Sequence, residues 1–178
     1  MLFHDTPLSG AYVLEPQPSH DERGYFGRVW CAEELAEHGM NATWVQSSIS
    51  FNDQALTLRG LHYQAAPHDE VKLIRCTSGS VFDVIVDLRA DSVTYGRWFS
   101  VELSAENNLV LYVPKGIAHG FLTLQDHSVV EDHMSEPHHA ECACGVRWDD
   151  PAFGIEWPSP PAAMSDRDRK YPDVEDTR

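Results

Sequence analysis

Thr77-Ser78-Gly79-Ser80-Val81-Phe82-Asp83-Val84-Ile85-Val86-Asp87-Leu88-Arg89-Ala90-Asp91 is the stretch that decides the fold class. Its centre, Val81 to Asp87, is rich in β-branched residues and is bounded on both sides by turn formers, which predicts a strand. The same grammar recurs along the chain. Trp98 to Leu103 alternates apolar and polar residues over half its length, and Leu109 to Val113 stops at Pro114, a residue that cannot donate to a β-ladder. Gly120 to Leu124 and Ser128 to Val130 follow at similar spacing, with glycines such as Gly60, Gly79, Gly96 and Gly116 punctuating the runs. Only Ala32 to Glu37 (AEELAE) carries a clear helical pattern. Many short strands, frequent turns and little helix predict an all-β jelly-roll barrel with a few short peripheral helices.

A length of 178 residues suits one domain, 1–178, whose core needs no staples. Its expected parts are a barrel core over about 20–155, an N-terminal arm with strands over 1–19, and a C-terminal tail over 156–178 that packs on the barrel. The tail holds Pro158, Pro160 and Pro161 and then Ser165-Asp166-Arg167-Asp168-Arg169-Lys170, a loop ending in a short capped turn. Thirteen Lys and Arg stand against 28 Asp and Glu, a net charge of −15 with the ten His neutral. That balance argues against nucleic acid or an anionic membrane as partner, since either needs a broad basic surface. No apolar run approaches the roughly 20 residues that span a bilayer. Met1 to Gly10 (MLFHDTPLSG) lacks a basic region followed by an apolar stretch, so a cytoplasmic protein without a secretory signal is expected. Cys31, Cys76, Cys142 and Cys144 are too few and scattered for a disulfide framework, and Cys142-Ala143-Cys144 has no second pair to complete a zinc knuckle.

Chemical potential gathers between Gln46 and Arg75. Arg59-Gly60-Leu61-His62-Tyr63-Gln64 places a cation, a glycine and an imidazole together, and Lys72 and Arg75 follow on the next candidate strand. Strand alternation sends His62 and Gln64 to one face and Leu61 and Tyr63 to the other. His62 facing Lys72 in a barrel mouth suits a general base beside an oxyanion stabiliser; a satisfied core histidine is the competing reading. A second cluster, Pro114-Lys115-Gly116-Ile117-Ala118-His119-Gly120-Phe121, has the Pro-x-Gly-x-x-His pattern and resembles the second sequence signature of the cupins, in which the histidine often binds metal. A metal also needs a His-x-His pair and a downstream Glu. Here His62 stands alone, with His68 and Glu70 beyond the expected turn at Ala65-Ala66-Pro67, so a cupin barrel without its metal is expected. His127, His133, His138 and His139 fall within Asp126 to Cys144, where Pro137 and Ala140 break any regular ligand-bearing face and a solvated loop is the expectation.

Taken together, RGLHYQ (Arg59 to Gln64), Lys72, PKGIAHGF (Pro114 to Phe121) and GVRWDDPAFGIEWP (Gly145 to Pro158) resemble the dTDP-4-dehydrorhamnose 3,5-epimerases. Asp21-Glu22-Arg23-Gly24-Tyr25-Phe26 and Ser165-Asp166-Arg167-Asp168 also match, in order and along nearly the whole chain. The resemblance implies a cupin-type jelly roll, a homodimer sharing strands across its interface, no metal or other cofactor, and a nucleotide-linked 4-keto-6-deoxy sugar, dTDP-linked, as substrate. The 4-keto group acidifies the hydrogens at C3 and C5, a base removes one to give an enolate, and reprotonation from the other face inverts the carbon. By resemblance His62 is the base, Asp168 orients and charges it, and Lys72 stabilises the enolate oxygen. Arg23, Phe26, Gln46, Arg59 and His119 match positions that hold the nucleotide diphosphate or the sugar.

One position departs. A family tyrosine on the strand after the HGF motif supplies the second proton, and ungapped counting from Leu124 to Met134 places Asp132 there. Val129 to His133 contains no tyrosine, so slipping the register does not restore one. A buried carboxyl at 132 can serve as the acid, water or His133 can replace it with inversion at only one carbon, or the donor is lost. The readings that follow are an epimerase of altered scope, an impaired nucleotide-sugar binder, and a ketoisomerase on a similar substrate. A metal-dependent cupin, for example a dioxygenase, is a further class, resting on the histidine content.

Overall fold

The computed structural model describes residues 1–174; the last four positions of the tail, 175–178, lie outside the described residues. In chain order the elements are β1 (Leu2–Asp5), β2 (Tyr12–Glu15), β3 (Ser19–Asp21), β4 (Gly24–Phe26), α1 (Ala32–Glu37), β5 (Gln46–Asn52), β6 (Thr57–Gln64) and β7 (Lys72–Ser78). They continue with β8 (Ser80–Asp87), β9 (Trp98–Ser104), β10 (Val110–Val113), β11 (Ile117–Thr123), β12 (Ser128–Met134), β13 (Ala143–Gly145), β14 (Ala163–Met164) and α2 (Asp166–Arg169). One sheet has the order β1-β2-β10-β7-β12-β5 and the other β13-β6-β11-β8-β9, with β14 added alongside β6. The two sheets enclose a jelly-roll barrel, the all-β class that the strand grammar predicts. No helix among the described residues is long and apolar enough to cross a membrane.

The stretch around Val81 forms β8, a central strand between β11 and β9. Its continuous apolar character follows from having both faces covered. Val81 and Ile85 join Ile74, Leu103, Leu111, Phe121 and Val130 in the barrel interior. Val84 and Val86 face outward into a second cluster with Leu61, Val146 and Phe153, which Trp157 of the tail helps to cover. A strand buried on two faces need not alternate. The short helix α1 owes its place to packing, because Cys31 at its N-cap makes no side-chain capping bond and an isolated helix of this length is unstable in water. Its one buried side chain, Leu35, anchors a third cluster with Leu14, Leu73 and Val110 on the outside of the first sheet; burying such a side chain contributes about 1.5–3 kcal/mol.

Three placements matter for the site. β12 continues past Val130 to Met134 and is paired on both sides, to β5 and β7. The solvated-loop reading of the Asp126 to Cys144 segment is therefore corrected for His133, which sits on this strand with its ring centroid 6.2 Å from that of Trp30 and 6.4 Å from that of Trp44. Two-sided ladder pairing holds Glu131-Asp132-His133 extended despite its polarity. β3 and β4 form a separate two-stranded hairpin whose six residues are all exposed. The tail crosses back over β6 and ends in α2, where Ser165 Oγ accepts from Asp168 N at 3.0 Å. That cap fixes the turn on which Asp168 stands.

Candidate active site

β6 carries the densest motif, and its pairing with β11 is irregular. His62 lies opposite His119 and Arg59 opposite Phe121, so β6 spends three residues where β11 spends two. Plain alternation would send Arg59 and His62 to opposite faces; a bulge of one extra residue re-aims the chain so that both line the same cavity. Gly60 permits this. Its φ is +138°, and a Cβ there would stand 2.6 Å from Gly120 Cα, closer than side-chain carbons tolerate. The glycines of RGLH and AHGF are thus in contact across the two strands.

The cavity, about 520 Å³, opens between the sheets and is lined by Arg59, His62, Lys72, His119, Asp132 and Asp168, among others. Sequence motifs from four strands and the tail meet there. His62 Nε2 lies 2.8 Å from Asp168 Oδ1, across 106 positions of sequence, and Gly60 N donates to Asp168 Oδ2 at 3.3 Å. Burial by itself would raise the Asp168 carboxyl. The bond and charge of His62, with the Gly60 N–H and Ser165, more than offset it and hold the group below the usual carboxylate range. An ionised Asp168 accepts the Nε2 proton, which leaves Nδ1 as the basic nitrogen of the ring. Tyr171 packs edge-on against His62, with ring centroids 5.8 Å apart.

Lys72 begins β7, and its Nζ is 3.1 Å from Glu70 Oε1. Glu70 in turn accepts from Gln64 Nε2 at 3.2 Å, so the cation is tethered from below. Arg59 donates from Nε to Asn52 Oδ1 at 2.8 Å and from Nη2 to Phe51 O at 3.1 Å. His119 Nε2 is 2.9 Å from Asp83 Oδ2. Burial pushes the Asp83 carboxyl above its ordinary value; His119 counteracts this, and the charge of Asp132 adds to it. Asp132 projects from β12 at the register of Ile74 on β7 and Ser48 on β5. One oxygen of Asp132 and one of Asp83 are buried without a hydrogen-bond partner.

Not every residue singled out from the sequence reaches this cavity. Gln46 is outside its lining; its Oε1 accepts from His138 N at 3.2 Å. Arg23 and Phe26 stand on the β3–β4 hairpin, Arg23 paired with Asp21 and Phe26 82% exposed, and neither lines the cavity. Conversely, Asp83, Arg167 and Tyr171 were not singled out, and Glu70 was considered only for a metal, not as the partner of Lys72. Asp83 carried a signal, an acid amid Val and Ile in a buried strand; the partners of Lys72 and His62 carried none, because their contacts depend on loop paths.

The sequence over residues 5–176 matches the family model described as dTDP-4-dehydrorhamnose 3,5-epimerase. The chain belongs to that family. A dTDP-4-dehydrorhamnose 3,5-epimerase of Sinorhizobium fredii is 41% identical over 179 residues, covering 98% of this chain and 90% of that one. The crystal structure of the epimerase from Elizabethkingia anophelis superposes with a TM-score of 0.95 at 38% identity, covering 99% of this chain and 97% of that one. A 3'-monoepimerase from Streptomyces bikiniensis, solved in complex with dTDP, aligns with a TM-score of 0.90 at 30% identity over 98% of this chain and 88% of that one. That crystal holds a double mutant in which a histidine and, seventy positions later, a tyrosine are replaced by asparagine and phenylalanine. The epimerase membership and the jelly-roll fold expected from RGLHYQ, PKGIAHGF and the strand pattern are both borne out.

Proposed function

We propose that this chain epimerises a dTDP-linked 4-keto-6-deoxy sugar at C3, C5 or both, through an enolate, with no cofactor. The observation that carries the reading is the His62–Asp168 pair, 2.8 Å apart, on the wall of a cavity that Lys72 also lines. His62 Nδ1 takes the proton α to the ketone, and Asp168 stabilises the imidazolium that forms. Charge moves onto the C4 oxygen, where a Lys72 ammonium is most effective because the site is partly desolvated. Arg59 and His119 hold the diphosphate and sugar from the same wall; an Arg fork suits phosphate oxygens.

Inversion needs a proton from the opposite face. Asp132 stands seventy positions after His62, the same interval that separates the two residues replaced in the Streptomyces bikiniensis mutant. We assign it the donor's place, delivering a solvent-derived proton to the carbon. A carboxyl is shorter than a phenol, so the reach across the cavity changes, and inversion narrowed to one carbon is the expected consequence.

The same reading includes a homodimer. Arg23 and Phe26 match ligand-holding positions yet stand outside their own cavity on an exposed hairpin, and Tyr25, Ile49 and Phe51 leave further apolar surface open. In a two-fold pair each hairpin would cover the partner's cavity mouth. The cytoplasm is the compartment proposed, in keeping with four free cysteines and a nucleotide sugar as substrate.

Incubation with dTDP-4-keto-6-deoxyglucose followed by NMR of the product tests the reading; an inverted C3 or C5 is expected. Saturable binding with the substrate returned unchanged would favour the second reading, a binding relative disabled by the loss of the tyrosine.

A further inference from the structure

Two loops that look unpromising separately form one cluster of metal-ligating side chains. His68 lies between β6 and β7, and Glu136 and His139 lie between β12 and β13. His68 Nδ1 is 2.8 Å from Glu136 Oε1, and His139 Nε2 is 3.8 Å from the same oxygen. One ligand atom from each of the three residues falls within 4.8 Å of the other two. None of the three lines the 520 Å³ cavity, so the cluster lies outside the epimerase cavity, and His68 meets Glu136 and His139 rather than the barrel-centre His62 and His119.

We propose that His68, Glu136 and His139 bind a divalent transition-metal ion of the zinc class. Two imidazoles and a carboxylate are a donor set that suits such ions, with a fourth position left to water. The ligands are supported from behind. Glu141 Oε1 lies 3.3 Å from His139 Nδ1, which ties down that nitrogen's proton and leaves Nε2 as the ligating atom. The buried Gln64 side chain clamps both loops: its Nε2 donates to His68 O at 3.0 Å and Pro137 O at 3.2 Å, and its Oε1 accepts from His139 N at 2.6 Å. The rings of His68 and His139 are stacked with centroids 3.5 Å apart. Ligation opens this stack by side-chain rotation, which the roughly one-third exposure of all three side chains allows. The ion takes the place of the His68 Nδ1 proton; that proton leaves to solvent while Nε2 gains one, so neutral His68 ligates as the other tautomer. The three-ligand set with an open position points to a reversible site that staples the two loops together.

Tag-free, chelator-treated full-length protein titrated with Zn(II) in a calorimeter is the test, with Co(II) absorption as a second readout. One equivalent should bind with micromolar or tighter affinity, and His68→Ala and His139→Ala should each weaken it about tenfold or more. His133→Ala should leave it unchanged. X-ray absorption of the zinc-loaded unmutated protein should show two imidazole ligands, a readout that does not require the variants to fold. No saturable binding below about 100 µM, affinity unmoved by both substitutions, loss with His62→Ala instead, or fewer than two imidazoles on the ion would each overturn the proposal. Turnover is not a readout, so failure here says nothing against the epimerase reading.

Discussion

Asp168 carries a charge that the folded chain stabilises and the unfolded chain does not. Its carboxyl is held below the ordinary range, burial being outweighed by the His62 bond, so protonation costs the native state more than the unfolded one. The stabilisation is fully present above the unfolded carboxylate value of about 4 and is lost as pH falls through the lower native value. The stability gap between the native protein and Asp168→Asn, measured by urea unfolding, should therefore narrow between about pH 6 and about pH 3; an unchanged gap would contradict the assignment. Asp132 gives the second prediction at this scale. Asp132→Asn should retain proton exchange at the substrate carbon but lose inversion, since the base remains and the donor does not. Asp132→Tyr should raise the rate or extend inversion to a second carbon, both read by product NMR. That His62, Lys72 and Asp168 share one cavity was legible in the sequence through its resemblance to the family's motifs. Asp83 and Tyr171 were not, because a partner 36 or 109 positions away leaves no local pattern.

β6 does its work through an irregularity. Its alternation at Leu61, His62, Tyr63 and Gln64 was readable from the apolar pattern, and Leu61 and Tyr63 do pack together on the outer face. The bulge that turns Arg59 toward His62 was not readable, because nothing in RGLH says how many residues the partner strand will match. Gly60→Ala puts a methyl where Gly120 Cα already stands and forces φ of +138° on a residue with a Cβ. A loss of at least about 1–3 kcal/mol is expected. The urea midpoint should fall, and activity should fall further than stability explains because Arg59 and His62 lose their common aim. A variant as stable and active as the parent would show that the bulge is dispensable. β12 taught the converse: its polar second half, Glu131 to His133, reads as loop, and only pairing on both sides keeps it a strand.

The whole molecule places scarce positive charge with economy. Only 13 residues are basic against a net −15, yet Arg59, Lys72 and Arg167 all line one cavity. A bulk acidic surface turns away polyanions while a small cationic mouth admits a diphosphate. Jelly-roll class was legible at this scale from strand spacing alone; the separation of Arg23 and Phe26 from the cavity was not, because it depends on the path of the chain between β2 and α1. If each hairpin serves the partner's cavity, Arg23→Ala and His62→Ala proteins, each weak alone, should complement on mixing. A heterodimer then holds one intact site, restoring up to about a quarter of the native rate by statistical exchange; no recovery after verified subunit exchange would place Arg23 in its own subunit's site or in none. Everything at this scale rests on the assembled cavity forming an enolate. Incubating the protein with dTDP-4-keto-6-deoxyglucose in D₂O and locating the label by NMR tests that most directly. Deuterium should enter at C3, C5 or both with the native protein and fall by about 10²–10⁴-fold in rate with His62→Ala; substrate that binds but gains no deuterium at either carbon would contradict it.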